Sequence, residues 1–298
     1  DRTENIGPFA SKGYNSREIS CDSRDLSIHN GMVGFCGALA SEIVETKGVK
    51  LCSDPEPSQT STPTTTPTTS PTTSPTTSPT ASPTTSPTTT ETTAPATMQT
   101  TMQTTPLPVE ILPPDLQDGP SVSPTPEPTT TTTTTTRRSG ECLCVFDIDR
   151  TLTGKQGIAG AGSDCPQNKD AGYIWDAAYS GGWLHLSEAG QHLNQTFCND
   201  CYLGVVSAGS ASGQWSAERR YLLRNVLTSG PFTELRQKSF SANLWSSRGR
   251  VKSPLVLRWP DREKQDAVKG IVEWYESKDI HIAPADVHFF GDRTENIG

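Results

Sequence analysis

The chain has 298 residues, 32% of them hydrophobic, and a formal net charge of −8 at pH 7. No stretch reaches the roughly 18 consecutive apolar residues of a membrane span, and the acidic balance argues against nonspecific nucleic-acid binding. The low hydrophobic fraction averages two unlike parts: residues 53–140 hold 33 Thr, 18 of the 24 Pro and 11 Ser, while the other 210 residues have an ordinary composition and are enough to bury one sizeable core.

The chain opens with Asp1-Arg2-Thr3-Glu4-Asn5-Ile6-Gly7 and closes with the same seven residues, Asp292 to Gly298. This reads as one period of a tandem array, cut inside the same motif of successive copies. A circular permutant and an assembly artefact of a repetitive gene are the alternatives. The natural order of the folding part is then 141–298 followed by 8–52: residues 1–52 form the C-terminal part of a domain and 141–298 its N-terminal part. Neighbouring repeats are candidate partners.

In chain order, the first expected elements are a strand at Arg17-Glu18-Ile19-Ser20-Cys21 and a helix from Phe35 to Glu45. Residues 53–140 follow, with Pro-Thr-Thr-Ser units and a run of threonines from Thr129 to Thr136. Extended, solvated backbone with dense hydroxyls is the composition of a disordered, O-glycosylated, mucin-like linker. Arg137-Arg138 at its end is a candidate processing site. Eight cysteines and the sequon Asn194-Gln195-Thr196 favour a secreted or cell-surface protein. Disulfides, with Cys165, Cys198 and Cys201 among the candidates, are favoured over buried thiols or a zinc site at Cys198-Asn199-Asp200-Cys201, and spacing alone does not choose among the 105 pairings of eight cysteines.

Beyond the tract, Leu143 to Phe146, Tyr202 to Val206, Leu255 to Leu257 and Val287 to Phe290 are short apolar, β-leaning runs, each ending in acids or small residues. Helical patterns lie between them at 188–197, 215–227 and 262–275. In the last, Ala267, Val268, Ile271, Val272 and Tyr275 form one apolar face, and Asp261 is the expected N-cap. Alternating strand and helix imply an α/β fold, an open, doubly wound parallel sheet with helices on both faces and ligands at the carboxyl ends of the strands.

Those ends carry the chemistry. The first strand exits as Asp147-Ile148-Asp149-Arg150-Thr151, two acids two residues apart that can meet one divalent cation. The second exits at Ser207, where a hydroxyl and following amides can hold a phosphoryl oxygen. Lys264 opens the third helix as a candidate countercharge for phosphate. The fourth strand exits as Gly291-Asp292-Arg293-Thr294-Glu295-Asn296, a second acidic loop.

In this order the four pieces resemble the haloacid dehalogenase superfamily of phosphatases and phosphotransferases, in its secreted tandem-repeat form. The resemblance spans the 210 residues outside the tract and implies a Rossmann-like sheet of strand order 5-4-1-2-3. It makes Asp147 the nucleophile that forms an aspartyl-phosphate, Asp149 the general acid and base, and Thr151, Ser207 and Lys264 the binders of the phosphorylated substrate. Asp147, Asp149, Asp292 and Asn296 would be the Mg²⁺ site. Arg150 departs from the small residue usual there, Asn296 supplies one charge less than Asp, and Lys269 is the fallback for Lys264. Gly154 to Trp183 is too short for a large cap and reads as a flap with Tyr173, Trp175, Tyr179 and Trp183 as lid contacts or a minicore. The function so implied is a Mg²⁺-dependent phosphatase; the alternative is a mucin-like array whose domains bind or space without catalysis.

Overall fold

The computed structural model describes residues 7–54, 141–228, 230–232 and 245–297. The first heptad copy up to Ile6, and residues 55–140 with Arg137-Arg138, lie outside the described residues.

Both flanks of the tract contribute strands to one sheet. In chain order these are β1 (Asn15–Glu18), β2 (Val49–Lys50), β3 (Leu143–Phe146), β6 (Tyr202–Val206), β7 (Ser246–Ser247), β8 (Leu255–Leu257) and β9 (Val287–Gly291). Two further strands, β4 (Lys169–Asp176) and β5 (Gly182–Leu186), form a separate antiparallel hairpin. The seven-stranded sheet runs β2-β1-β9-β3-β6-β8-β7, and every pairing in it is parallel. β3 sits at the centre, Leu143 facing Tyr202 on one side and Val287 on the other. The chain leaves β3 toward β6 and β8, then returns to β9 and β1 on the other side, so the switch point lies between β3 and β9.

The alternation of β3 divides the core. Cys144 and Phe146 join Leu203, Val205, Leu255 and Phe290 on one face, covered by α2 (Glu188–His192) and by α3 (Ala217–Tyr221) with the single π-type turn Leu222–Val226 that extends it. Leu143 and Val145 join Val256, Val287 and Phe289 on the other, covered by α1 (Gly7–Ser11) and α4 (Lys264–Glu276). Buried aromatics tie neighbouring elements: Phe146 stacks on Phe290 at 5.3 Å and Phe9 on Phe289 at 5.0 Å. The buried Tyr275 phenol donates to Leu203 O at 2.7 Å, which satisfies its hydroxyl.

All eight cysteines are paired: Cys21–Cys52, Cys36–Cys165, Cys142–Cys201 and Cys144–Cys198. Cys142 and Cys144 share a face, so the last two bonds pin the central strand to the turn before β6, and Cys36–Cys165 joins the two flanks of the tract. Four disulfides fit an oxidising, extracellular compartment. No helix of the described residues is long and apolar enough to cross a membrane.

Several expected elements differ. Residues 35–45 are not a helix but a loop with one 3₁₀ turn, Ala40–Glu42. Its apolar spacing is helix-like, yet Gly37 has φ +82° and a Cβ there would lie 2.4 Å from Thr153 O. The loop instead crosses the end of the sheet, Ala38 N–H donating to Thr151 O and Ala38 O accepting from Ala189 N. The fifth strand is Asn15–Glu18 rather than 17–21, because Ser20 turns at φ +60°. The helix expected over 188–197 ends at His192 and continues as 3₁₀ turns. Helix α4 starts at Lys264, not at Arg262, and Asp261 does not cap it: that carboxylate is taken by Asn296, Arg293 and Lys264.

Candidate functional site

Asp147 leaves β3 still paired to β9, its N–H donating to Phe290 O at 3.0 Å. Its Oδ1 accepts from Ile148 N at 2.8 Å, and the chain turns through one π-type turn, Ile148–Leu152, closed by Thr153 N to Ile148 O. Arg150 takes φ +62° inside this turn, which sets Asp147 and Asp149 at the carboxyl edge of the sheet. A pocket of about 200 Å³ opens there, lined by Asp147, Asp149, Tyr179, Ser207, Asp261 and Arg293 among others.

Lys264 is the buried cation of this edge, 1% exposed. Its Nζ is ion-paired with Asp147 Oδ2 and lies 3.4 Å from Asp261 Oδ1. Burial alone would lower its pKa, but Asp147 and Asp261 outweigh burial and raise it. Asp292, at the exit of β9, is fully buried; Oδ2 accepts from Gly34 N at 2.9 Å, and Oδ1 has no hydrogen-bond partner. Burial first, and the charge of Asp147 second, push its pKa up to about 7.

Asp149 looks to the other side. Ser207 Oγ donates to its Oδ2 at 3.5 Å, and Gly209 N–H donates to Ser207 Oγ at 3.0 Å. A Cβ at Gly209 would stand 2.8 Å from Asp149 Oδ2, so glycine is required for this approach. Asp149 is raised well above the ordinary carboxylate range, by burial and then by Asp176, Asp147 and Glu218. Asp176 ends β4, and Glu218 lies in the first turn of α3. Together Asp149, Asp176 and Glu218 form an acidic triad that could bind a metal ion, with one ligand oxygen from each within 4.8 Å of the others.

The hairpin brings Tyr179 over this edge. Arg150 lies 4.9 Å and Arg293 6.0 Å from its ring centre, and its hydroxyl accepts from Arg293 at 3.3 Å. Arg150 is itself buried, donating to Phe35 O at 3.2 Å and lying 3.5 Å from Asp25. Tyr173, Trp175 and Trp183 point elsewhere: they are half to fully exposed and meet edge to face.

The sequence-derived residues therefore divide. Asp147, Asp149, Ser207, Lys264 and Asp292 converge on the carboxyl ends of β3, β6 and β9. Thr151 is buried in the turn, its carbonyl accepting from Ala38 N and Ser187 Oγ while its own Oγ1 has no partner. Asn296 is spent on structure: Nδ2 donates to Asp261 and Oδ1 accepts from Arg262 N, so both ends of its amide steady the loop. Lys269 is exposed, paired with Glu273 on the far side of α4 beside a larger open groove of about 780 Å³ that holds none of the strand-end acids. Cys165, Cys198 and Cys201 are all in disulfides. Asp176, Glu218 and Gly34 are absent from the sequence-derived set. No known protein-family model matches the chain, and no curated protein or solved structure matches it either.

Proposed function

We propose that the chain is a Mg²⁺-dependent phosphatase of the haloacid dehalogenase type, which hydrolyses a phosphomonoester through an aspartyl-phosphate on Asp147. The observation that carries this reading is the Asp147–Lys264 pair beside the donorless Oδ1 of Asp292, at the carboxyl ends of two adjacent strands. With the two-residue edge strands β2 and β7 left out, the run β1-β9-β3-β6-β8 is 5-4-1-2-3 in natural order, which also agrees with the resemblance.

The residues fit the ion the resemblance implies. A fully buried carboxylate oxygen without a hydrogen-bond donor is costly, and Asp292 Oδ1 stands next to a second carboxylate, a hard-oxygen set of the kind Mg²⁺ takes. Asp147 and Asp292 would hold it, and when bound it would offset charge on the phosphoryl group. Asn296 is not part of this set.

Asp147 would attack phosphorus in line while the bond to the leaving oxygen breaks. Asp149, whose pKa burial and its acidic neighbours push up, would give its proton to that oxygen. The resulting carboxylate would then take a proton from water as the water attacks the phosphoryl group of the acyl phosphate, releasing phosphate and restoring Asp147. Lys264 and the Ser207 hydroxyl would hold the transferring oxygens. With Tyr179 forming one wall, a pocket this small admits a phosphate and the first atoms of its alcohol, so the bulk of the substrate would lie outside. That suits phosphoproteins, phosphoglycans or other large phosphoesters. Secretion to the cell exterior accords with the disulfides and belongs to the same reading.

The test is release of phosphate from an aryl phosphate by the full chain, with Mg²⁺ and with EDTA, alongside Asp147→Asn. Turnover that needs both Mg²⁺ and Asp147 is expected. No turnover under any condition would favour a non-catalytic binding or spacing module.

A further inference from the structure

We propose that Asp149, Asp176 and Glu218 form a Ca²⁺ site distinct from the Asp147–Asp292 pair, which clasps the hairpin and α3 to the loop after β3. The three carboxylates come from three separate segments: the turn after β3, the last residue of β4 and the first turn of α3. Among the described residues none of the three is ion-paired, in contrast to Asp147.

An acidic grouping alone would prove little. The second observation is Glu218, which is 0% exposed and keeps Oε1 with no hydrogen-bond partner, while Ser212 Oγ is bonded to its Oε2. A carboxylate oxygen sealed from water without a donor carries an uncompensated desolvation cost, relieved only by a proton or a cation. The surroundings favour the cation. Asp176 accepts on both oxygens from neutral donors, Gln156 Nε2 at 2.7 Å and Ala178 N at 2.8 Å. Together with Ser212 on Glu218, these are the outer partners that orient ligating carboxylates.

Chemistry narrows the ion. An all-carboxylate set selects a hard cation. Three carboxylates from three separate segments suit Ca²⁺, which accepts irregular geometry and many oxygen ligands, better than Mg²⁺, which demands a near-ideal octahedron and keeps several waters. Asp149 is the partly exposed member and lines the pocket, which leaves a path for water to complete the coordination. An ion on Asp149 also displaces the proton that residue would donate. One consequence, and only this one, rests on the phosphatase reading: Ca²⁺ would slow turnover.

The test uses the full chain, stripped with EDTA and titrated with Ca²⁺ by calorimetry, and with Tb³⁺ by luminescence excited through tryptophan. Wild type is expected to bind. Glu218→Gln and Asp176→Asn are each expected to lose about tenfold or more in affinity, since affinity follows the count of charged ligands, and Asp292→Asn is expected to keep binding. Absence of Ca²⁺ binding by wild type up to 10-fold above roughly millimolar levels, the weak end for extracellular sites, would overturn the proposal, because the triad would then be neutralised by protons. Unchanged affinity in both Glu218→Gln and Asp176→Asn would overturn it as well. So would loss in Asp292→Asn with retention in the triad variants, which would move the ion to the other pair. Should Glu218→Gln fail to fold, Asp176→Asn, at the end of β4, gives the same reading. None of these readouts depends on phosphatase activity.

Discussion

The two sides of the strand-end pocket handle negative charge in opposite ways. On the β9 side, Asp147 is paired with a buried lysine and one oxygen of Asp292 accepts from a backbone amide, so all but Asp292 Oδ1 is met by groups the chain supplies. On the hairpin side, Asp149, Asp176 and Glu218 face one another, their hydrogen-bond donors are neutral, and Lys264, Arg150 and Arg219 act on them only through space. A buried carboxylate with a fixed cation can remain ionised without help, whereas three without one must take up protons or an ion from solution. The first arrangement suits a group that reacts as an anion, and the second suits one that exchanges a proton or binds a metal.

The sharpest break of this contrast is Asp147→Asn, which keeps shape and removes the nucleophile. Turnover should fall at least about 10³-fold while the protein still unfolds cooperatively, at a lower melting temperature because the buried Lys264 keeps only Asp261 as partner. Phosphate release near the wild-type rate would place the nucleophile elsewhere. Lys264→Met removes the cation and strands Asp147, for an expected loss of about 3–5 kcal/mol, as when one partner of a buried pair is deleted. Combining it with Asp147→Asn should recover part of that loss, and a urea-unfolding double-mutant cycle measures it. Strict additivity would mean that the pair is not coupled.

Without metal, stability should depend on pH in the unusual direction for carboxylates, through one carboxylate on each side of the pocket. Asp292 is raised to about 7 and Glu218, chiefly by burial and then by Asp176, to about 8. Unfolded carboxylates titrate near pH 4, so between about pH 4 and 8 the folded state binds more protons than the unfolded chain, and stability falls as pH rises. Melting temperatures in EDTA at pH 5, 6, 7 and 8 should decrease in that order, and saturating Mg²⁺ and Ca²⁺ should flatten the trend. A rising series in EDTA would remove the premise. The smallest effect belongs to Glu218→Gln. In EDTA at pH 8 it should stabilise the protein by about 1 kcal/mol by removing a buried charge, and at pH 5 the gain should vanish because Glu218 is already protonated there. Equal gains at both pH values would show that charge is not the cause.

The strands were legible because a central parallel strand is buried on both faces and reads as an unbroken apolar run, as at Leu143 to Phe146. The acids after them were legible because ligands collect where such strands end. Asp176 and Glu218 were not, since each comes from an element whose orientation toward Asp149 depends on tertiary packing. Residues 35–45 failed for a related reason: the apolar spacing suggested a helix, but Gly37 and the backbone groups of Ala38 are used to brace the turn that carries Asp149 and Thr151. Asn296 sits where a metal ligand was expected, and its amide is instead held by Asp261 and Arg262. The disulfide partners were beyond reach, because Cys36 and Cys165 stand 129 residues apart.

That last bond changes what proteolysis can do to the molecule. Cys36–Cys165 is the one disulfide among the four that joins residues 7–54 to residues 141–297. A protease that severs the peptide anywhere in 55–140 would therefore produce a two-chain protein rather than two fragments. β1 would stay tethered beside β9, and Gly34 would remain within reach of Asp292. Such a nicked form would run as a single species until reduced, and its two halves would part only where thiols are abundant.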